Sequence, residues 1–222
     1  MKKVVLLDFY GTVVHDNKLV VDYICNELQK TGDGSCHDEI ICYFRKKLFD
    51  LCSASFARKF RKQRTLMLSA IKHTAKRFRC TANPELLAEH LYKFLEAPPV
   101  FEDALEFLNK CPLPVVIVSN NDTIDLQKAL AFIKYYPKYI ATSELARAYK
   151  PNPRIFEYAL ERLNLKPDEA IYVGDNIEYD IKGAKSAGLT AVWLNRYNKL
   201  APPEADFCIS SLPELLTTGL LD

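Results

Sequence analysis

Apolar residues follow two different rhythms along this chain. From Val13 to Leu95 they recur three or four positions apart, the period of helices with one buried face. Leu19, Val20, Tyr23, Ile24 and Leu28 form a first stripe, which Gly32 and Gly34 interrupt. Ile41, Phe44, Leu48 and Leu51 form a second within 38–52, and residues 65–78 and 84–94 carry two more. Asn83 and Pro84 read as the cap and first-turn residue of the last. The pattern predicts an all-α stretch of about four helices with no strand. Ala97-Pro98-Pro99 follows as a stiff, extended connector suited to a hinge.

The second rhythm alternates short apolar runs with helical stripes. Residues 4–7, 114–118, 139–143, 170–173, 190–194 and 207–209 read as strands. Residues 102–109, 122–134, 153–163 and 177–187 read as helices, as does a last one from Pro213, and Gly188 closes the fourth. Such alternation is the signature of an α/β fold, a parallel sheet with crossover helices.

Composition narrows the function classes. The chain has 222 residues, 49% hydrophobic and 26% charged, with a net charge of +2. That describes a soluble globular protein and argues for neither nucleic acid nor membrane as partner. No apolar run reaches the roughly 20 residues of a membrane span. The start, Met1-Lys2-Lys3 before Val4 to Leu7, imitates a signal peptide until Asp8 cuts the apolar run short. Seven cysteines without a C-x-x-C pair read as reduced, mostly buried thiols of a cytoplasmic protein.

Candidate chemistry sits where apolar strands stop. Val4 to Leu7 end at Asp8, with Gly11 and Thr12 just beyond; residues 114–118 end at Ser119; residues 170–173 end at Gly174-Asp175. In a parallel sheet these ends lie on one edge, where open α/β sheets place their ligands. Lys150 lies in a loop before a helix, and Asp180 follows Asp175 by about one helical turn. Each residue also has a plain structural reading. Asp8 and Asp175 could be turn residues, Ser119 a helix cap, Lys150 a solvated lysine, and Asp180 a carboxylate favoured by a helix dipole.

The order of these residues resembles the haloacid dehalogenase superfamily, most of whose members are phosphatases. Asp8-Phe9-Tyr10-Gly11-Thr12 is similar to its first motif and Val116-Ile117-Val118-Ser119-Asn120 to its second. Lys150-Pro151 is similar to its third, and Gly174-Asp175-Asn176-Ile177-Glu178-Tyr179-Asp180 to its fourth. The resemblance implies a Rossmann-like, doubly wound core over residues 1–14 and 96–222, with an inserted all-α cap over residues 15–95. It implies Asp8 as nucleophile, Lys150 as the partner cation, and Thr12, Ser119 and Asn120 around a phosphate. It further implies Mg²⁺ on Asp8, Asp175 and the backbone carbonyl of Tyr10, with Asp180 in support. A carboxylate nucleophile is repelled by a phosphate ester, so cations at this place make chemical sense. Hard oxygen ligands suit Mg²⁺, and the helix start after Asn121 could add amide donors.

The chain departs from the phosphatase pattern at Tyr10 and from the dehalogenase pattern at three other positions. Tyr10 stands where phosphatases carry a second Asp as general acid, and Tyr there resembles the dehalogenases, which expel halide. Asp175 and Ile177 stand where dehalogenases carry a Ser-Ser-Asn-like stretch, and Phe156 where they carry a Tyr. Without a metal, Asp175 beside Asp8 would be uncompensated like charge. The expected function is therefore a Mg²⁺-dependent phosphatase of small anionic, phosphorylated metabolites, acting through an aspartyl-phosphate on Asp8, with Tyr10 a poor acid. The alternatives are a 2-haloacid dehalogenase, for which Arg45 could bind a carboxylate, and a weakly active phosphate-binding or regulatory protein. Arg45, Lys46, Lys47, Arg58, Lys59, Arg61, Lys62, Arg64, Lys72, Lys76, Arg77 and Arg79 face a single acid, Asp50, between Phe44 and Cys80. They form either a solvated face or a field that captures anionic substrate.

Overall fold

A computed structural model describes residues 1–201 and 203–221; residues 202 and 222, both within the expected core range, lie outside the described residues. The apolar runs form one six-stranded sheet in the order β3-β2-β1-β4-β5-β6, every adjacent pair parallel. Its strands are β1 (Val4–Leu7), β2 (Val115–Ser119), β3 (Ile140–Thr142), β4 (Ala170–Gly174), β5 (Thr190–Leu194) and β6 (Phe207–Ile209). β1, β2 and β4 are buried along their whole length, which explains unbroken apolar runs in place of alternation. β1 lies centrally, with β2 and β4 as its neighbours. The strand order reverses there, the crevice where such sheets bind ligands.

Of the five α-helices between β1 and β2, the first four pack together: α1 (Lys18–Lys30), α2 (His37–Ser53), α3 (Gln63–Arg77) and α4 (Pro84–Glu96). They enclose a core of their own that includes Ile24, Leu28, Phe44, Met67, Ile71 and Leu91. Asn83 caps α4 as expected, accepting from the amides of Glu85 (2.9 Å) and Leu86 (3.2 Å). The buried stripe of α1 keeps Ile24 and Leu28 of the expected one and is otherwise rotated. Val21, Ile24, Cys25 and Leu28 face inward, while Leu19 and Tyr23 are exposed. The periodicity was correct, but its phase was ambiguous because α1 is apolar on two sides of its first turn.

α5 (Glu102–Lys110), α6 (Thr123–Phe132), α8 (Arg154–Leu163) and α9 (Lys182–Ser186) flank the sheet, and a four-residue helix α7 (Ser143–Ala146) follows β3. The helix expected over 177–187 is divided. It opens as a π-turn over Ile177–Ile181, in which the Ile181 amide reaches the Asn176 carbonyl at 3.2 Å, and continues as α9. The last helix is a 3₁₀ segment, Leu212–Thr217. All seven cysteines are unpaired, as expected, but only Cys25 is buried, and Cys36, Cys42 and Cys208 are exposed. Cys52, Cys80 and Cys111 are half-buried, so the expectation of mostly buried thiols does not hold. Among the described residues no helix is long and apolar enough to cross a membrane.

Candidate active site

β1 delivers Asp8 to the carboxyl edge of the sheet, and its amide continues the ladder to the Val173 carbonyl at 2.9 Å. β4 ends one residue before Asp175, and the loop before α8 brings in Lys150. Lys150 Nζ donates to Asp8 Oδ1 (2.5 Å), Asp180 Oδ1 (2.6 Å) and the Tyr172 hydroxyl (3.0 Å). Its side chain is buried between two buried carboxylates, so the reading of Lys150 as a solvated lysine fails. Burial disfavours its charge, but Asp180 and Asp8 outweigh burial and raise its pKa.

Asp180 is likewise no surface carboxylate. The π-turn swings it inward, where Oδ1 accepts from the Tyr172 hydroxyl at 2.6 Å and Oδ2 from the Asn176 amide at 3.0 Å. Gly174 has to be glycine here, because a Cβ would come within 2.5 Å of the Asp180 carboxyl carbon. Tyr172 went unnoticed in the sequence. Its signal was a phenol inside an aliphatic strand, since a buried hydroxyl needs a partner.

Asp175 lies against the first loop. A Cβ on Gly11 would meet both Asp175 carboxylate oxygens at 2.6 Å, and Gly11 adopts φ +95, so two independent constraints require glycine. The Trp193 indole donates to the Asp175 carbonyl at 2.8 Å and fixes its backbone. Burial raises the Asp175 carboxyl well above the usual range, and repulsion from Asp8 and Asp180 adds to it. Burial also pushes Asp8 up to about 6, against the pull of Lys150. Asp8, Asp175 and Asp180 each offer an oxygen within 4.8 Å of the others. Three carboxylates so close, two of them raised chiefly by burial with like charge adding to it, are a donor set that fits a hard divalent cation.

The anion-facing residues divide. Thr12 Oγ1 is buried without a protein partner, a free donor beside Asp8 in sequence. Ser119 Oγ makes only long contacts, 3.3 Å, with the amide and side chain of Asn121. Asn120 turns its side chain to the Lys150 backbone, accepting from the Lys150 amide at 2.6 Å and donating to its carbonyl at 3.3 Å. The start of α6 is partly taken, because Glu144 accepts the Thr123 amide at 2.9 Å. Tyr10 is turned toward the end of α4, where its hydroxyl donates to the Leu95 carbonyl at 2.5 Å. Burial, then Asp125 and Asp8, raise its pKa further, so it is no acid at neutral pH.

The basic stretch is also divided. Arg64 Nε lies 2.8 Å from Asp125 Oδ2 and Nη2 lies 2.6 Å from Glu96, with the guanidinium over the Tyr92 ring at 4.5 Å. Asp122 of the sheet unit accepts the Gln63 and Arg64 amides at 2.7 and 3.1 Å, and so caps α3 from outside the four-helix unit. Arg64 therefore clamps the two units together and does not face solvent with its neighbours. Arg58, Lys59 and Arg61 are exposed, while Lys62 pairs with Glu144 at 2.7 Å and Lys72 with Glu85 at 2.6 Å. Arg64→Glu is expected to lower the unfolding free energy by about 3 kcal/mol, because buried Asp125 loses its partner. Arg61→Glu should change it by less than about 0.5 kcal/mol. Equal urea midpoints for the two variants would refute the clamp.

The family described as haloacid dehalogenase-like hydrolase matches residues 2–188. Over 141 residues the chain is 33% identical to a glyceraldehyde 3-phosphate phosphatase of Pyrococcus furiosus, covering 59% of this chain and 58% of that protein, little more than half its length. Over 225 residues it is 26% identical to (S)-2-haloacid dehalogenase 1 of a Pseudomonas species, covering 95% of each. The solved L-2-haloacid dehalogenase of Xanthobacter autotrophicus shares the fold, with a TM-score of 0.76 at 20% identity over 99% of this chain and 100% of that one.

Proposed function

The chain belongs to the haloacid dehalogenase-like hydrolases, and from that membership we propose that it hydrolyses phosphate monoesters of small metabolites with Mg²⁺ as cofactor and Asp8 as nucleophile. The observation that carries this reading is Asp175, held against Gly11 with its carboxyl raised by burial and then by Asp8. A metal-independent dehalogenase has no use for that carboxylate. Asp8, Asp175 and the Tyr10 carbonyl would hold the cation, whose chemistry is to offset phosphate charge and keep both carboxylates ionised.

In the proposed reaction an Asp8 oxygen attacks phosphorus, the ester P–O bond breaks, and water later hydrolyses the aspartyl-phosphate. Lys150 places a second positive charge against the nucleophile, and Asp180 and Tyr172 hold that lysine in place. Thr12 and Ser119 donate to phosphoryl oxygens. Asn120, assigned to the phosphate from sequence, acts by fixing the Lys150 loop. The leaving alcohol takes its proton from water, since Tyr10 is bound to Leu95. Turnover should accordingly be slow for poor leaving groups.

One observation favours 2-haloacid dehalogenation as a second reading: Tyr10 offers no acid, and halide needs none. A panel of phosphomonoesters assayed with Mg²⁺ and with EDTA, beside 2-chloropropionate, separates the two. Phosphate release with Mg²⁺ and none with EDTA is expected. Chloride release that survives EDTA would replace the proposal, and neither activity would leave a phosphate-binding protein.

A further inference from the structure

Among the described residues, four buried side-chain atoms lack a hydrogen-bond partner: Thr12 Oγ1, Gln63 Oε1, Asn121 Nδ2 and Arg196 Nε. Thr12 already has a part in the proposed reaction. Arg196 belongs to a structural tie, with its other nitrogens 2.8 Å from Asp103 and from the Thr12 carbonyl. Gln63 and Asn121 have no such explanation.

These two residues come from different units that are joined where the Gln63 amide bonds Asp122. Gln63 opens α3, and its amide lies 2.7 Å from Asp122, the residue after Asn121. Asn121 closes the turn after β2, its own amide and Oδ1 each 3.3 Å from Ser119 Oγ, which leaves Nδ2 as its free end. Asn121 is only 4% exposed. A buried amide group without a partner costs desolvation with no return, and apolar residues of similar size would avoid that cost. A ligand that enters between the units would supply what is missing. The free ends are complementary in kind, a donor from the sheet unit two residues after Ser119 and an acceptor from the helical unit.

We propose that Asn121 and Gln63 form a specificity pair, in which Asn121 donates to an oxygen of the phosphate ester and Gln63 accepts from a hydroxyl or ammonium group on its alcohol portion. This rests on the phosphomonoester reading and makes it narrower. The preferred substrates are phosphates of polar, hydrogen-bond-donating alcohols, and esters of apolar alcohols are poor ones. A site that expects a donor and receives none leaves its acceptor buried and unpaired, which is the stronger way to discriminate.

Three esters of matched size test the pair: 2-hydroxyethyl, 2-aminoethyl and ethyl phosphate, assayed with Mg²⁺. For the wild type, kcat/KM for the better donor-bearing ester should exceed that for ethyl phosphate by roughly ten- to a hundredfold. Gln63→Met should cut that ratio about tenfold, chiefly through KM, and Gln63→Glu, which keeps an acceptor, should retain it for the ammonium ester. The arm that loses most identifies hydroxyl or ammonium as the natural donor. If Gln63→Met lacks native near-ultraviolet dichroism, Gln63→Ser reads the same ratio. A wild-type ratio near one, or a ratio untouched by either substitution, overturns the pair while the phosphatase reading stands. No turnover of any of the three esters overturns both.

Discussion

Asp8→Asn should abolish turnover, with a fall in kcat of about 10³-fold or more, while the fold persists. The substitution is close to isosteric and removes the oxygen that would form the covalent bond. Lys150 loses one carboxylate but keeps Asp180 at 2.6 Å and the Tyr172 hydroxyl at 3.0 Å, so its charge stays paired. Stability should hold or rise. The folded Asp8 pKa, about 6, lies above its unfolded value, so the ionised carboxylate is disfavoured by folding at neutral pH. A neutral amide escapes that penalty. Retention of more than about a tenth of the activity, under about 1.4 kcal/mol of barrier, would sink the covalent mechanism.

Removal of the Asp175 carboxylate is the second large effect. Asp175→Ala should lower phosphatase activity by about 10² or more, with partial rescue at high Mg²⁺. Its effect on stability should have an unusual sign. In the metal-free protein both Asp8 and Asp175 are raised, so the folded state binds more protons than the unfolded state. For Asp8 this holds between about 4 and about 6, and stability falls as pH climbs through that window. Mg²⁺ should reverse the trend for the wild type, with a gain of about 2.7 kcal/mol at a hundred times its dissociation constant. In Asp175→Ala the metal-free protein should match or exceed wild-type stability at pH 7, and the gain from Mg²⁺ should vanish. Thermal melts at pH 5 and 8, with Mg²⁺ and with EDTA, measure all of this. A wild type whose melting ignores Mg²⁺ would remove the metal assignment and favour the dehalogenase reading.

The residues that the sequence brought forward and the structure brings together are Asp8, Lys150, Asp175 and Asp180. Strand direction made three of the clues legible. A parallel strand that runs apolar to its end must present its next residue at the carboxyl edge, which placed Asp8, Ser119 and Asp175. Lys150 and Asp180 were legible only through their resemblance to family motifs, because a loop lysine and a helix-start aspartate carry no local signature of burial. Tyr10 could be seen to depart from the phosphatase pattern, but not to tie the first loop to the end of α4.

The amino-acid sequence by itself determined the helices and strands, the parallel order that their alternation forces, and the edge at which chemistry must lie. Those follow from periodicity and chain direction, which act over a few residues and leave a visible pattern. The tertiary structure alone decided which partner each polar group takes. Lys150 finds Asp8 across 142 positions, Arg64 finds Asp125 across 61, and Asp122 caps a helix 59 positions before it. It also decided which face of α1 turns inward and which thiols meet solvent. A buried charge takes whichever counter-charge the packed elements bring within about 3 Å, and that proximity exists only once the sheet and the four helices have closed on each other.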